Sequence, residues 1–476
     1  MRDEARGVST EERPRPQDAA RPAEGARPPA RRGGLAPTGG EDIMTPGHPQ
    51  RHYTLICPVC HRRTADDGLV LTCGEDHPAA FLRTGYQESR LTVCPDSDGL
   101  YRYRRWLPIT RTLAGAGGTI VSRGERLGRA LGLRDLWIAF NGYWPERGAH
   151  LRSATFKELE AYTVLGRLPD RPPILVIPSV GNTGAAFASV FAQTGGECVI
   201  IVPERGLHRL ASETELPSAV RLVALTGGDY DDAIGLGERV SRLPGFQAVG
   251  GAWNVARRDG LATVLLSAAE TMGRLPEFYV QAVGSAVGAI AVHEAAGRLI
   301  ASGEYGQARP RLLMCQNASY APVRDLWRFG SVGRGHAARD VYADELTNRN
   351  PPYFVRGGIR DALAESGGRV LVADHASARA AAELFLETEG IDIEPAASVA
   401  LACLREAVAG GEVSSGASVL LNITGGGRAH PARARLLRRV EPTLRLGREE
   451  LGSPETPGRI GALFPSADGV VRAARV

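Results

Sequence analysis

Of the 57 Lys and Arg side chains in the sequence, 56 are Arg and one is Lys, Lys157. Lysine is ordinarily among the commonest residues, so a chain that writes its cations as arginine marks the one place where it does not. Arginine replaces lysine as surface charge. It does not replace lysine where a primary amine must lose its proton, because guanidinium stays protonated. The chemistry that most needs such an amine is Schiff-base formation with a carbonyl. The competing reading is an ordinary surface lysine left by chance in an arginine-biased chain.

Three Gly-rich stretches could serve the amine. The first is Ser179-Val180-Gly181-Asn182-Thr183-Gly184, where small residues let backbone N–H groups at a helix start approach an anion such as a substrate carboxylate. Ser179, Gly181 and Thr183 are its candidate substrate contacts, and Asn182 adds a side-chain amide. The second is Gly284-Ser285-Ala286-Val287-Gly288, suited to cradle a phosphate for the same reason. The third is Thr424-Gly425-Gly426-Gly427-Arg428, whose glycines allow close approach of a flat ring. Arg147, Arg152 and Arg428 are candidate anion clamps, although most arginines here must be surface charge. Tyr143 either donates to a substrate or packs in the core, and His293 reads as a packed residue on an apolar helix.

A second group of reactive side chains lies near the N-terminus. Seven cysteines is an odd number, and Cys57, Cys60, Cys73 and Cys94 crowd one short stretch. That pattern suits a reducing compartment, hence the cytoplasm, rather than a disulfide framework. Cys57-Pro-Val-Cys60 has the spacing of a zinc knuckle. Cys73 with His77, or Cys73 with Cys94, would complete a set of four. The alternative is a ribbon without metal whose cysteines pack as small apolar groups.

The elements that must position these groups read as α/β. Apolar runs at Ile174–Ile177, Val199–Val202, Phe278–Val283, Arg311–Cys315 and Ser418–Ile423 read as strands, with Gly184–Gln193 as a helix. Such alternation implies a mostly parallel sheet with helices on both faces, and ligands beyond the strands' carboxyl ends. Residues 1–48 read as a disordered Pro/Arg-rich tail with eight Arg and eight acidic residues. Met44 offers an alternative start. Residues 52–108 form a Cys-containing ribbon-like segment, 109–445 a catalytic region of two α/β lobes, and 446–476 a C-terminal tail. A net charge of +4 and the lack of a basic patch beyond Arg62 and Arg63 predict no nucleic-acid partner. No apolar stretch is long enough to predict a membrane span.

In this order, Lys157 and the three loops resemble the fold-type II pyridoxal 5'-phosphate enzymes of the tryptophan synthase β-like superfamily, and within it the threonine synthase group. Leu100-Tyr101-Arg102-Tyr103 and Trp106-Leu107-Pro108 add to that resemblance. Phe140-Asn141-Gly142-Tyr143-Trp144-Pro145-Glu146-Arg147-Gly148-Ala149, the block from Thr155 to Ala161, Glu75-Asp76-His77-Pro78 and the Asn422–Gly427 run are similar to the cysteate synthase family. The resemblance covers about residues 52–440. Lys157-Glu158-Leu159, where threonine synthases carry Lys-Asp-Arg, and Gly426, where they tend to carry His, are departures from threonine synthase.

The resemblance implies Lys157 as the catalytic, cofactor-holding lysine. It implies Asn182 at the 3′-oxygen of the cofactor ring, Gly284, Ser285, Ala286, Val287 and Gly288 at its phosphate, and Thr424 at its pyridine nitrogen. It implies O-phospho-L-serine and sulfite as small-molecule substrates, L-cysteate and phosphate as products, and a homodimer or higher homo-oligomer. The alternative is threonine synthase or another β- or γ-replacement enzyme acting on a phosphorylated amino acid.

Overall fold

The computed structural model describes residues 51–212, 215–332 and 341–465. The tail read over residues 1–48 lies outside them. Two open sheets divide most of the chain. The first has six strands in the order Arg369–Ala373, Arg311–Asn317, Phe278–Ala282, Ser418–Ile423, Asp135–Phe140 and Ile120–Arg123. All its neighbours are parallel except the last pair. The second is parallel throughout, in the order Phe246–Ala248, Ile174–Pro178, Cys198–Pro203, Val220–Leu225 and Leu444–Leu446. Strands such as Cys198–Pro203 and Ser418–Ile423 are buried at every residue. That is why they read as unbroken apolar runs rather than alternating ones.

Between the sheets runs the helix Val255–Met272, buried at every residue from Val255 to Ala269. Asn254 starts it by accepting from the Ala256 amide at 3.0 Å, and Gly273, at φ 67°, ends it. Burial on all sides means its charged residues must be matched by other elements. Helix Lys157–Arg167 packs beside it. Arg167 closes that helix with two 2.8 Å hydrogen bonds to the Asp66 carboxylate and one of 2.8 Å to Asn254 Oδ1. This buried guanidinium ties three parts of the chain together.

The N-terminal part is a small antiparallel sheet, Arg63–Thr64, Tyr53–Ile56 and Arg83–Tyr86, with Tyr53–Ile56 as its central strand. At the other end, Leu444–Leu446 joins the second sheet, and Ile460 and Phe464 pack into the core that contains Phe246. Residues 446–465 are therefore packed against that lobe. Among the described residues, no helix is long and apolar enough to cross a membrane.

Candidate active site

Lys157 opens its helix after a sharp turn in which Ala154 takes a φ of 56°. Hydrogen bonds stitch this turn to the third loop. The Phe156 amide donates to the Thr424 carbonyl at 2.8 Å, and the Gly426 amide to the Ala154 carbonyl at 3.1 Å. The carboxylate of Glu158 accepts from the Ser153 amide at 2.7 Å, and burial pushes the Glu158 pKa up. The lysine side chain is only 21% exposed, and its Nζ lies 3.7 Å from Glu160 Oε2 and 4.7 Å from the centre of the Phe156 ring. Burial lowers its pKa; Glu160 opposes that shift and Arg257 adds to it.

Glu160 is fully buried. Its Oε1 accepts from Arg257 at 2.5 Å and from Thr183 Oγ1 at 3.3 Å. Its Oε2, the oxygen that faces Lys157, has no hydrogen-bond partner among the described residues.

The first loop leaves the strand Ile174–Pro178 and folds around Ser179, whose Oγ accepts from the Gly181 and Gly184 amides at 2.9 Å each. Gly181 sits at φ 138°, and a Cβ there would lie 2.8 Å from Arg209 Cδ. Ser179 and Gly181 thus shape the loop, while Thr183 reaches Glu160. Asn182 donates to Glu394 Oε2 at 2.9 Å and accepts from Arg428 at 2.7 Å.

In the second loop Ala286 takes φ 54° ahead of the helix Val287–Ser302. The amide of Ile290 donates to the Ala286 carbonyl at 3.0 Å, so the amides before it belong to the turn that a helix cannot satisfy itself. A Cβ on Gly288 would meet the Gln281 carboxamide at 2.8 Å and the Phe156 ring at 2.9 Å. The loop therefore lies against the residue next to Lys157. Ser285 Oγ accepts from Asn348 at 2.6 Å. Gly284 backs on to the Glu345 carbonyl.

Thr424 in the third loop donates to Glu394 Oε1 at 2.9 Å. Glu394, 4% exposed, thus gathers Asn182, Thr424 and, at 3.7 Å, Arg428. Glu345 lies nearby, its pKa pushed up to about 7 by burial and by the Glu394 charge. Sequence reasoning missed Glu160, Arg257, Glu345 and Glu394. Glu394-Pro395 was readable as a helix start, but nothing in the sequence named the partners of its carboxylate.

Other candidates fall elsewhere. Arg147 is exposed and stacks 4.8 Å over the Trp144 ring. Arg152 and Tyr143 line a 1340 Å³ cavity together with His150 and Gly115; Lys157 is not among its walls. His293 is buried, with its Nε2 3.0 Å from Glu365. In the ribbon, Cys57, Cys60, Cys73 and His77 bring their ligand atoms within 4.8 Å of one another, and Cys94 is outside that group.

Three observations fit this site to pyridoxal phosphate. A half-buried amine faces a carboxylate oxygen that has no hydrogen-bond partner among the described residues, a helix start offers backbone N–H groups, and Gly288 leaves the loop no room for a side chain beside Phe156. The sheets and this site define a pyridoxal-phosphate dependent enzyme of fold type II, and residues 114–425 match the family described as "Pyridoxal-phosphate dependent enzyme". The fold is similar to that of threonine synthase from Escherichia coli (TM-score 0.53, 16% identity, covering 72% of this chain and 80% of that one).

Sequence likeness is much stronger to proteins named cysteate synthase. That of Methanosphaerula palustris is 45% identical over 386 residues, 79% of this chain and 90% of the relative. That of Methanoculleus marisnigri is 42% identical over 434 residues, 88% of this chain and 99% of the relative. The chain belongs to the cysteate synthase family.

Proposed function

We propose that the chain converts O-phospho-L-serine and sulfite to L-cysteate and inorganic phosphate by β-replacement at Lys157. The observation that carries this reading is the only lysine of the chain, half-buried at a helix start between three loops and facing a carboxylate. Membership of the cysteate synthase family supports the choice of reaction. Bound pyridoxal phosphate supplies the electron sink that makes the Cα proton labile. In the net reaction the Cβ–O bond to phosphate breaks and a Cβ–S bond to sulfite forms. The Cα proton leaves and returns.

Lys157 Nζ holds that proton in between, and its lowered pKa keeps the amine ready to accept it. The amides of Gly284, Ser285, Ala286, Val287 and Gly288 would hold the cofactor phosphate. Asn182 would serve the ring 3′-oxygen and Thr424 the ring nitrogen, each giving up its present hydrogen bond to Glu394 to do so. Ser179, Gly181 and Thr183 form the wall for the substrate carboxylate. Arg428, already bonded to Asn182, is better placed than Arg147 to draw an anion into the site. The seven free cysteines support a cytoplasmic setting. A homodimer or higher homo-oligomer is the assembly that the superfamily resemblance favours, measurable by light scattering.

Phosphate release from O-phosphoserine, with and without sulfite, tests the reading on purified protein and Lys157→Ala. Sulfite-dependent release with cysteate found by mass, absent in the variant, is expected. Threonine formed from O-phosphohomoserine would overturn it.

A further inference from the structure

We propose that Cys57, Cys60, Cys73 and His77 hold one structural zinc ion, which takes the place of an apolar core in the N-terminal ribbon. This site is separate from the reaction read above. Their four ligand atoms already lie within 4.8 Å of one another. His77 Nε2 is 3.3 Å from Cys57 Sγ and 2.8 Å from Cys73 Sγ. Tetrahedral zinc with ordinary bond lengths sets a sulfur–nitrogen edge of roughly 3.5 Å, so small shifts complete the site.

The orientation of the histidine points the same way. Its Nδ1 is 2.7 Å from the Pro78 carbonyl, which requires the N–H on Nδ1. In the neutral ring Nε2 then carries the lone pair, on the side of the Cys57 and Cys73 sulfurs. Metal-bound histidines are oriented in this manner by an acceptor behind the ring.

The backbone around Cys57 forms a knuckle. The Cys57 amide donates to the Arg62 carbonyl and the His61 amide to the Cys57 carbonyl, each at 3.0 Å, with His61 at φ 58°. An ion pair between Arg62 and Glu75 joins this turn to the one that carries Cys73 and His77. Three thiolates and an imidazole are a donor set that favours zinc, and four protein ligands leave no open position for catalysis.

The ribbon needs such a support. Its strands have two to four residues, and around them, over residues 53–86, the local apolar cluster is little more than Tyr53, Leu55, Cys57, Ala80 and Leu82, joined by Val255, while Phe81 and apolar residues from Leu91 to Leu107 pack into the main core instead. Segments this small usually rely on a metal or disulfides, and all seven cysteines are free thiols here. What the metal secures is a docking edge. Thr84 and Tyr86 donate to Asp259 at 2.6 and 2.7 Å, and Arg258 donates to the Leu82 carbonyl. Both Asp259 and Arg258 follow Arg257, the residue that grips Glu160 beside Lys157.

Elemental analysis of the full-length protein, grown with zinc and desalted, tests the site. One zinc per chain is expected, lost in Cys60→Ser and His77→Ala and kept in Cys94→Ser. Less than about a tenth of an equivalent, iron in place of zinc, zinc retained in both ligand variants, or zinc lost in Cys94→Ser would each overturn the proposal. Cobalt exchange into the unmutated protein does not depend on the variants folding. Visible bands of a tetrahedral thiolate site are expected, and their absence overturns the assignment.

Discussion

The first two loops look alike in sequence, since both run from an apolar strand through small residues into a helix. They are built by opposite means. The Ser179–Gly184 loop closes on itself, because one hydroxyl collects two of its amides. What it offers outward is side chains, Asn182 to Glu394 and Thr183 to Glu160. In the proposed reading the Gly284–Gly288 loop offers outward its backbone. It is held from behind by Asn348 on Ser285 and shaped by Ala286 at φ 54°. Side chains confer choice of partner, while amides at a helix start confer affinity for any anion of the right size. The proposed division of labour, substrate to one loop and phosphate to the other, follows from that difference.

The division fails outright if the amine between the loops is dispensable. Lys157→Ala is expected to lower turnover by about 10³-fold, as steady-state assays at saturating cofactor would measure. Gly288→Ala should act on the second loop and on the residue beside Lys157 against which it packs. Its Cβ would press on Gln281 and Phe156, and overpacking of ~1–3 kcal/mol should weaken cofactor binding about 5- to 150-fold by titration of the cofactor-free protein. Unchanged affinity would remove the second loop from the cofactor. Ser179→Ala sharpens the contrast, since it leaves two amides without their acceptor. A stability loss of ~1–3 kcal/mol in denaturant unfolding is expected, with cofactor affinity less affected than in Gly288→Ala.

The smallest effect concerns Glu160. Its charge raises the Lys157 pKa against burial. Capture of cofactor by the cofactor-free protein needs the neutral amine, so its rate should rise with pH to a plateau. In Glu160→Gln the inflection should move to lower pH, because an opposing negative charge is gone. A shift to higher pH would show that Glu160 does not act on Lys157 as the geometry implies.

Much of this was legible in the sequence, for identifiable reasons. Fully buried parallel strands such as Ser418–Ile423 leave unbroken apolar runs, and arginine bias made Lys157 conspicuous. The edge strand Ile120–Arg123 was not legible, because one exposed and three half-buried residues leave no apolar pattern. Nor was the helix Val255–Met272 an obvious core element, as it carries Arg257, Arg258 and Asp259. Those charges are matched by Glu160, Glu294 and Arg298, none of them on that helix. Glu394 escaped for the same reason. Its role lies in Asn182, Thr424 and Arg428, which only the folded chain brings to it.

The strand Leu444–Leu446 has a bearing on how the protein is made. It pairs with Val223–Leu225, although the six-stranded sheet is completed in the interval between them. During synthesis the edge of Val220–Leu225 stays open while more than two hundred further residues emerge. At usual elongation rates of roughly 5–20 residues per second, that is ten seconds or more with unpaired backbone exposed. The lobe that carries Asn182 is thus the last to be sealed.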